Sequence, residues 1–172
     1  MTEINAHTGL PDSAPLTATH IIYALHAWSA LIGITSAMFI VTAFLLRVSL
    51  GIMFIAHALL KYYGFPLPGP VKFSESIGLP SPLAYVTFFA ELIGGILILA
   101  GIATRWVSLA LVPVLLGAVW AHSGNGWLFN APNGGWEYPA FLTVAAIVVA
   151  LLGDGAYSLR SLFAAQKQAA YA

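Results

Sequence analysis

The sequence predicts an all-α transmembrane four-helix bundle, with an additional N-terminal hydrophobic helix and a short C-terminal interfacial helix. Three observations carry that prediction. Of 172 residues, 60% are hydrophobic and only 7% are charged, against about 25% charged in a typical soluble domain. So few charges cannot coat a water-soluble globule of this size, which leaves the bilayer as solvent. Second, Gly- and Pro-rich breaks divide the chain into apolar runs near the length that crosses about 30 Å of hydrocarbon. Third, the few ionisable side chains inside those runs recur at matched spacings, as expected of groups that must find partners away from lipid.

Residues 1–16 form a polar tail with no basic stretch near the start, so they do not read as a cleaved signal peptide. Residues 17–42 are apolar and free of charge. They constitute the extra N-terminal helix, either interfacial or a fifth span. Ser29, Gly33 and Ala37 give it a row of small residues suited to close packing. A fifth crossing would need a hairpin before the next segment, and no turn signal marks one, so the surface placement is preferred.

The bundle is assigned to residues 43–162. Its first span covers roughly Ile40–Tyr63, and Gly64, Pro66, Pro68, Gly69 and Pro70 then break any helix. The second span covers about Pro82–Ala103. A tight turn at Thr104–Arg105 leads into the third, about Trp106–His122, which tolerates Pro113 as membrane helices do. The Gly/Asn/Pro-rich loop SGNGWLFNAPNGGW precedes the fourth span, about Glu137–Leu152, which ends at Gly153-Asp154-Gly155. AYSLRSLFAAQKQ then makes an amphipathic interfacial helix that Asp154 could cap, and residues 163–172 are the C-terminal tail.

Composition excludes several functions. With six basic and six acidic residues the net charge is zero, so no basic surface points to nucleic acid. The absence of cysteine removes disulfides, thiolate nucleophiles, iron–sulfur ligation and covalent haem, and a redox role would have to borrow its carrier.

The polar residues sort into two groups. Arg47 and Lys61 are fourteen residues apart, as are Glu91 and Arg105. At 100° per residue each pair lies within about 40° on one helix face. Consecutive spans are antiparallel, so His57, Lys61, Glu91, His122, Glu137 and Tyr138 gather at one end, rimmed by Trp127 and Trp136. Arg47, Arg105, Asp154 and Arg160 gather at the other. Glu91 is expected to pair with His57 or Lys61, with Gly94 and Gly95 admitting a neighbouring backbone. The pair is either a structural ion pair or a ligand- or proton-handling site. Arg47 and Arg105 read first as arginines snorkelling at the lipid surface, and Trp120, Trp127 and Trp136 as an aromatic belt. A metal site from His57, His122, Glu91 and Glu137 has no spacing signature, and no metal is assigned. The distribution of Lys and Arg favours both termini in the cytoplasm.

RVSLGIMFIAHALLKYYGF, SIGLPSPLAY, FFAELIGGILILAGIATRW, GGWEYP and GDGAYSL, in that order and spacing, closely resemble the DoxX family of small bacterial membrane proteins over roughly Leu45 to Leu162. Ala58 stands where many members have glycine. The resemblance implies a four-helix bundle in the bacterial inner (cytoplasmic) membrane, multi-pass. It also implies that Arg47, His57, Lys61, Glu91, Arg105, His122, Glu137 and Asp154 are the recurrent polar positions. Since the family name comes from a membrane subunit of a thiosulfate:quinone oxidoreductase, it implies a quinone-linked redox subunit acting with other membrane subunits. In that reading Glu91, His57 and His122 relay protons or hydrogen-bond the quinone, and Lys61, Glu137, Tyr138, Arg47 and Arg105 bind it, with no covalent cofactor. The alternative is a non-enzymatic accessory subunit that docks to and stabilises a larger membrane complex.

Overall fold

A computed structural model describes residues 13–64 and 68–169, with side chains described from residue 20 onward. The described residues form helices α1 (Ser13–Leu59), α2 (Pro68–Ser76), α3 (Pro82–Ala100), α4 (Thr104–His122), α5 (Glu137–Leu152) and α6 (Leu159–Ala169). A π-helical turn covers Leu60–Gly64, and a 3-10 turn covers Ser123–Asn125. Among them His20–Gly64, Pro82–Ala100 and Thr104–Asn125 are long and apolar enough to cross a membrane. Glu137–Leu152 is an apolar helix of 16 residues, about 24 Å long. The protein is thus a helical membrane bundle.

The chain divides into two units, Met1–Met38 and Phe39–Ala172. In the first, every described side chain, His20 through Met38, is exposed, the stripe of Ser29, Gly33 and Ala37 included. Its polar side chains turn back on their own helix. Ser29 donates to Leu25 O at 2.9 Å, Thr35 to Leu31 O at 2.9 Å, and His26 Nδ1 lies 2.7 Å from Ile22 O. Such back-bonding suits an apolar solvent that offers no partners. The expected boundary at residue 42 is absent: α1 runs through it without a break, so residues 17–42 are not a separate helix. The expected tail of residues 1–16 falls largely outside the described residues. The boundary expected at residue 162 lies inside α6.

In the second unit, α3 packs on α4 and α4 on α5, with α2 against α3. The core joins Leu50 and Phe54 of α1, Ile98 of α3, Leu111 and Leu115 of α4, and Leu142, Ala146 and Val149 of α5. Helices α1 and α3 meet backbone to backbone. A Cβ on Gly51 would lie 2.8 Å from Leu99 N and 3.0 Å from Gly95 O, and one on Gly95 would lie 3.0 Å from Gly51 O. This is the approach expected of Gly95. Gly94 has a different neighbour, the side chain of Leu111. Ala58, 0% exposed, shows that the seam accepts a methyl there.

Three local expectations are corrected. The prolines after Gly64 do not exclude a helix. Pro68 and Pro70 open α2, because first-turn N–H groups have no intrahelical partner to lose. The turn between the second and third spans lies at Gly101–Ala103, where both residues have positive φ (71° and 49°). Asp154 does not cap the tail helix. Its Oδ1 accepts from Thr104 N at 3.1 Å and so caps α4, while Oδ2 lies 3.6 Å from Arg160. Ser158 Oγ caps α6 instead, accepting from Ser161 N at 3.1 Å.

Arg47 is the largest correction. It does not snorkel: it is 1% exposed. Its Nη1 donates to Leu99 O at 2.8 Å and its Nη2 to Ala156 O at 3.0 Å, with longer contacts to Ile98 O and Tyr157 O. The guanidinium also sits 5.5 Å from the Phe44 ring centroid. Leu99 O is among the carbonyls at the end of α3 that helix geometry leaves without an intrahelical partner, and Ala156 and Tyr157 lie in the link between α5 and α6. Arg47 therefore ties α1 to the end of α3 and to the link between α5 and α6. Gly101 makes room for it, since a Cβ there would fall 2.5 Å from Nη1. Arg105 is exposed, as an anchoring arginine should be.

Two substitutions test this frame. Gly51→Val should lower the thermal midpoint in detergent by an overpacking cost of about 1–3 kcal/mol or more. Arg47→Leu should cost about 3 kcal/mol, because charge-assisted bonds to buried carbonyls are lost. Unfolding curves of both variants matching the parent would contradict the described contacts.

Candidate functional site

The end of the bundle opposite Arg47 holds a cavity of about 840 Å³. Its walls are mainly apolar, contributed by α1 to α5, and its polar lining includes His57, Lys61, Glu91, His122, Tyr138, Ser74 and Thr87. A cavity of this size with few convergent polar groups is the usual form of a small-molecule site.

Glu91 projects from the buried face of α3, one turn before Gly95. Lys61 stands on the π-helical turn that ends α1. Its ammonium binds both carboxylate oxygens. Of the two partners expected for Glu91, Lys61 is therefore the one found. Glu91 is buried and Lys61 is about one third exposed, so the pair lies at the boundary between the packed interior and the cavity. An ion pair in this setting loses hydration, and contact of the ammonium with both carboxylate oxygens offsets that cost.

His57 is held differently. Its Nδ1 lies 2.9 Å from Met53 O, and its ring stacks on Tyr138 with centroids 5.6 Å apart and an interplanar angle of 18°. The Tyr138 hydroxyl donates to the Met53 sulfur, a weak acceptor. His122, at the end of α4, places Nδ1 3.1 Å from Gly134 O and has the Phe73 ring stacked 6.3 Å away. Asn125 Nδ2 donates to the same carbonyl at 2.9 Å. A carbonyl can only accept, so a hydrogen bond to it requires the proton on Nδ1 and leaves Nε2 of a neutral ring as the acceptor. Two imidazoles, each with Nδ1 against a backbone carbonyl, thus line one cavity.

Not every expected residue belongs to this cavity. Glu137 lines a separate groove of about 510 Å³ on the surface of α5, and its Oε1 accepts from Phe129 N at 2.8 Å, pinning the loop before α5. Arg47 and Arg105 line neither space. Arg47 spends its donors on backbone carbonyls and Arg105 lies beside Gly153. No three His, Asp or Glu side chains converge as metal ligands among the described residues. Trp127 and Trp136 pack edge to face at 4.4 Å.

Sequence reasoning missed Met53, Phe73, Thr87 and Phe129. Met53 lies one turn before His57, so that signal was present. Phe73 depends on α2, which a proline-rich stretch concealed, and Phe129 depends on the fold of an irregular loop.

Removing one charge from the Lys61–Glu91 pair leaves the other uncompensated, at a cost of about 3 kcal/mol or more. Replacing both removes that cost. Lys61→Met and Glu91→Leu should each lower stability more than the double variant does, as a double-mutant cycle by detergent unfolding will read. Additive losses would contradict the coupling.

Comparison with known proteins gives a consistent placement. The DoxX family description matches residues 42–124. The chain is similar to the protein named "Putative oxidoreductase CatD" of Bacillus subtilis (strain 168), at 40% identity over 111 residues, which is 64% of this chain and 78% of that relative. No solved structure matches the chain significantly.

Proposed function

The chain belongs to the DoxX family, and on that premise we propose that it is a quinone-linked redox component of the bacterial inner membrane. It crosses that membrane several times with both termini in the cytoplasm, and it works with a partner that carries electrons. The observation that supports this best is the pair of cavity histidines with Nδ1 committed to a backbone carbonyl. Each is left with Nε2 for a ligand. A quinone has two carbonyl oxygens and an apolar ring, and it takes up two protons and two electrons to become a quinol. The cavity offers apolar walls for the ring, two imidazoles that can hydrogen-bond ligand oxygens, and the Lys61–Glu91 pair as a nearby proton donor and acceptor. In the reverse direction a quinol hydroxyl donates to Nε2 and loses its proton there. The chain has no cysteine, so the electrons come from, or go to, the partner. The oxidoreductase name of the relative is in keeping with this reading.

The second reading is a non-enzymatic accessory subunit that docks to and stabilises a larger membrane complex. The exposed, apolar segment of α1 in the first unit favours it, with Trp28, Leu31 and Met38 each more than half exposed. Co-purification from native membranes would support it, and a chain that runs alone at native abundance would oppose it.

Equilibrium binding of a benzoquinone to the detergent-purified protein tests the first reading. The parent protein should bind. His57→Ala and Glu91→Gln should each weaken binding by about tenfold or more, the loss of one charge-assisted or well-placed hydrogen bond, with helicity unchanged by circular dichroism. If binding ignores both substitutions, the cavity is not the quinone site.

A further inference from the structure

We propose that the ligand of the cavity carries an apolar tail, and that this tail lies in the surface groove on α5 while the headgroup occupies the cavity. Phe129 and Tyr138 then form the portal between the two spaces. This inference rests on the quinone-type reading of the cavity, and it assigns a lipid-dissolved, tail-bearing substrate class to the same site.

The two spaces are neighbours with a common wall. The groove of about 510 Å³ and the cavity of about 840 Å³ share two lining residues, Phe129 and Tyr138. The groove's other walls are Trp127, Ala140, Phe141 and Val144, with Glu137. Phe141 and Val144 are 69% and 59% exposed on an apolar helix, so this face of α5 meets lipid rather than water. The carboxylate of Glu137 is engaged by Phe129 N, which leaves the groove an apolar trough. The polar groups able to meet ligand oxygens are on the cavity side, namely His57, His122 and Lys61–Glu91. A molecule with a polar ring and a hydrocarbon chain matches this division. A ring without a chain would leave the groove to acyl chains.

The portal residues suit their position. Tyr138 is half-buried, and among the described residues its hydroxyl bonds the thioether of Met53 alone, a weak acceptor that a small rotation would release. Phe129 is 68% exposed and sits on the irregular loop between α4 and α5, and it can swing without disturbing a helix. The stack of Tyr138 on His57 places the portal directly beside one of the two imidazoles, so a headgroup passing Tyr138 arrives at His57.

The test compares two quinones with the same ring, one bearing a decyl chain and one bearing none, in lipid nanodiscs. Affinities are expressed per mole of lipid, so that partitioning cancels. Ala140→Phe and Val144→Trp each fill the groove from positions that do not line the cavity, and Val144 is exposed enough to take the larger side chain without refolding. Each variant should weaken binding of the decyl quinone by about tenfold and leave the chainless quinone unchanged. Wild-type binding of both quinones, with neither variant altering the decyl affinity or with both quinones weakened alike, overturns the portal and leaves the quinone site standing. Wild-type binding of the chainless quinone alone does the same. Failure of the wild type to bind either quinone overturns the quinone reading itself, and the portal with it.

Discussion

The close contact of α1 with α3 sets the position of every polar group that matters in this bundle. With Gly51 against Gly95 and Leu99, and Ile55 against Gly95, the two helices run antiparallel at backbone separation. One turn from Gly51 toward the chain start, Arg47 reaches the carbonyls that close α3. Moving the other way, Lys61 arrives opposite Glu91, one turn from Gly95. Both ends of the seam are closed by a cation, each neutralised differently. At one end a guanidinium is spread over four carbonyls, and at the other an ammonium is matched by a carboxylate. A slip of one residue would rotate each side chain by about 100° and separate both sets of partners. The glycines permit the approach and the charges fix its register.

That arrangement explains how much of the molecule could be read from the residues alone. The four apolar helices and the two polar ends were legible, because charge is so scarce that each ionised group must lie near a partner. The fourteen-residue spacing placed Arg47 and Lys61 along one continuous helical run, but the same reading of Glu91 and Arg105 fails, because the turn at Gly101–Ala103 ends α3 and puts Arg105 on α4. Spacing does not say which side of a helix faces protein, so Arg47 could not be told from a snorkelling arginine. Its partners are backbone carbonyls, which carry no residue signature. His57 and Lys61 were equally good partners for Glu91 by position. The choice was made by the π-helical turn at Leu60–Gly64, a local widening that common residue types do not announce. The helix at Pro68–Ser76 was hidden because proline was read as a breaker, when at a first turn it is a starter.

The proposed chemistry draws its direction from what separates the two ends. Between Arg47 and the cavity lies the layer built of Leu50, Phe54, Ile98, Leu111, Leu115, Leu142, Ala146 and Val149. These eight side chains are apolar and none of them can hand on a proton, although the hydroxyls of Ser108 and Thr104 are buried toward the Arg47 end. In the proposed chemistry, a proton accepted by His57, His122 or Glu91 would leave on the cavity side, where Lys61 is about one third exposed. A quinone component built this way would exchange its protons on the cavity side. Its electrons are the part of the reaction that needs a second protein, and so the redox reading and the docking reading make the same structural demand: a surface on this chain where a partner can sit.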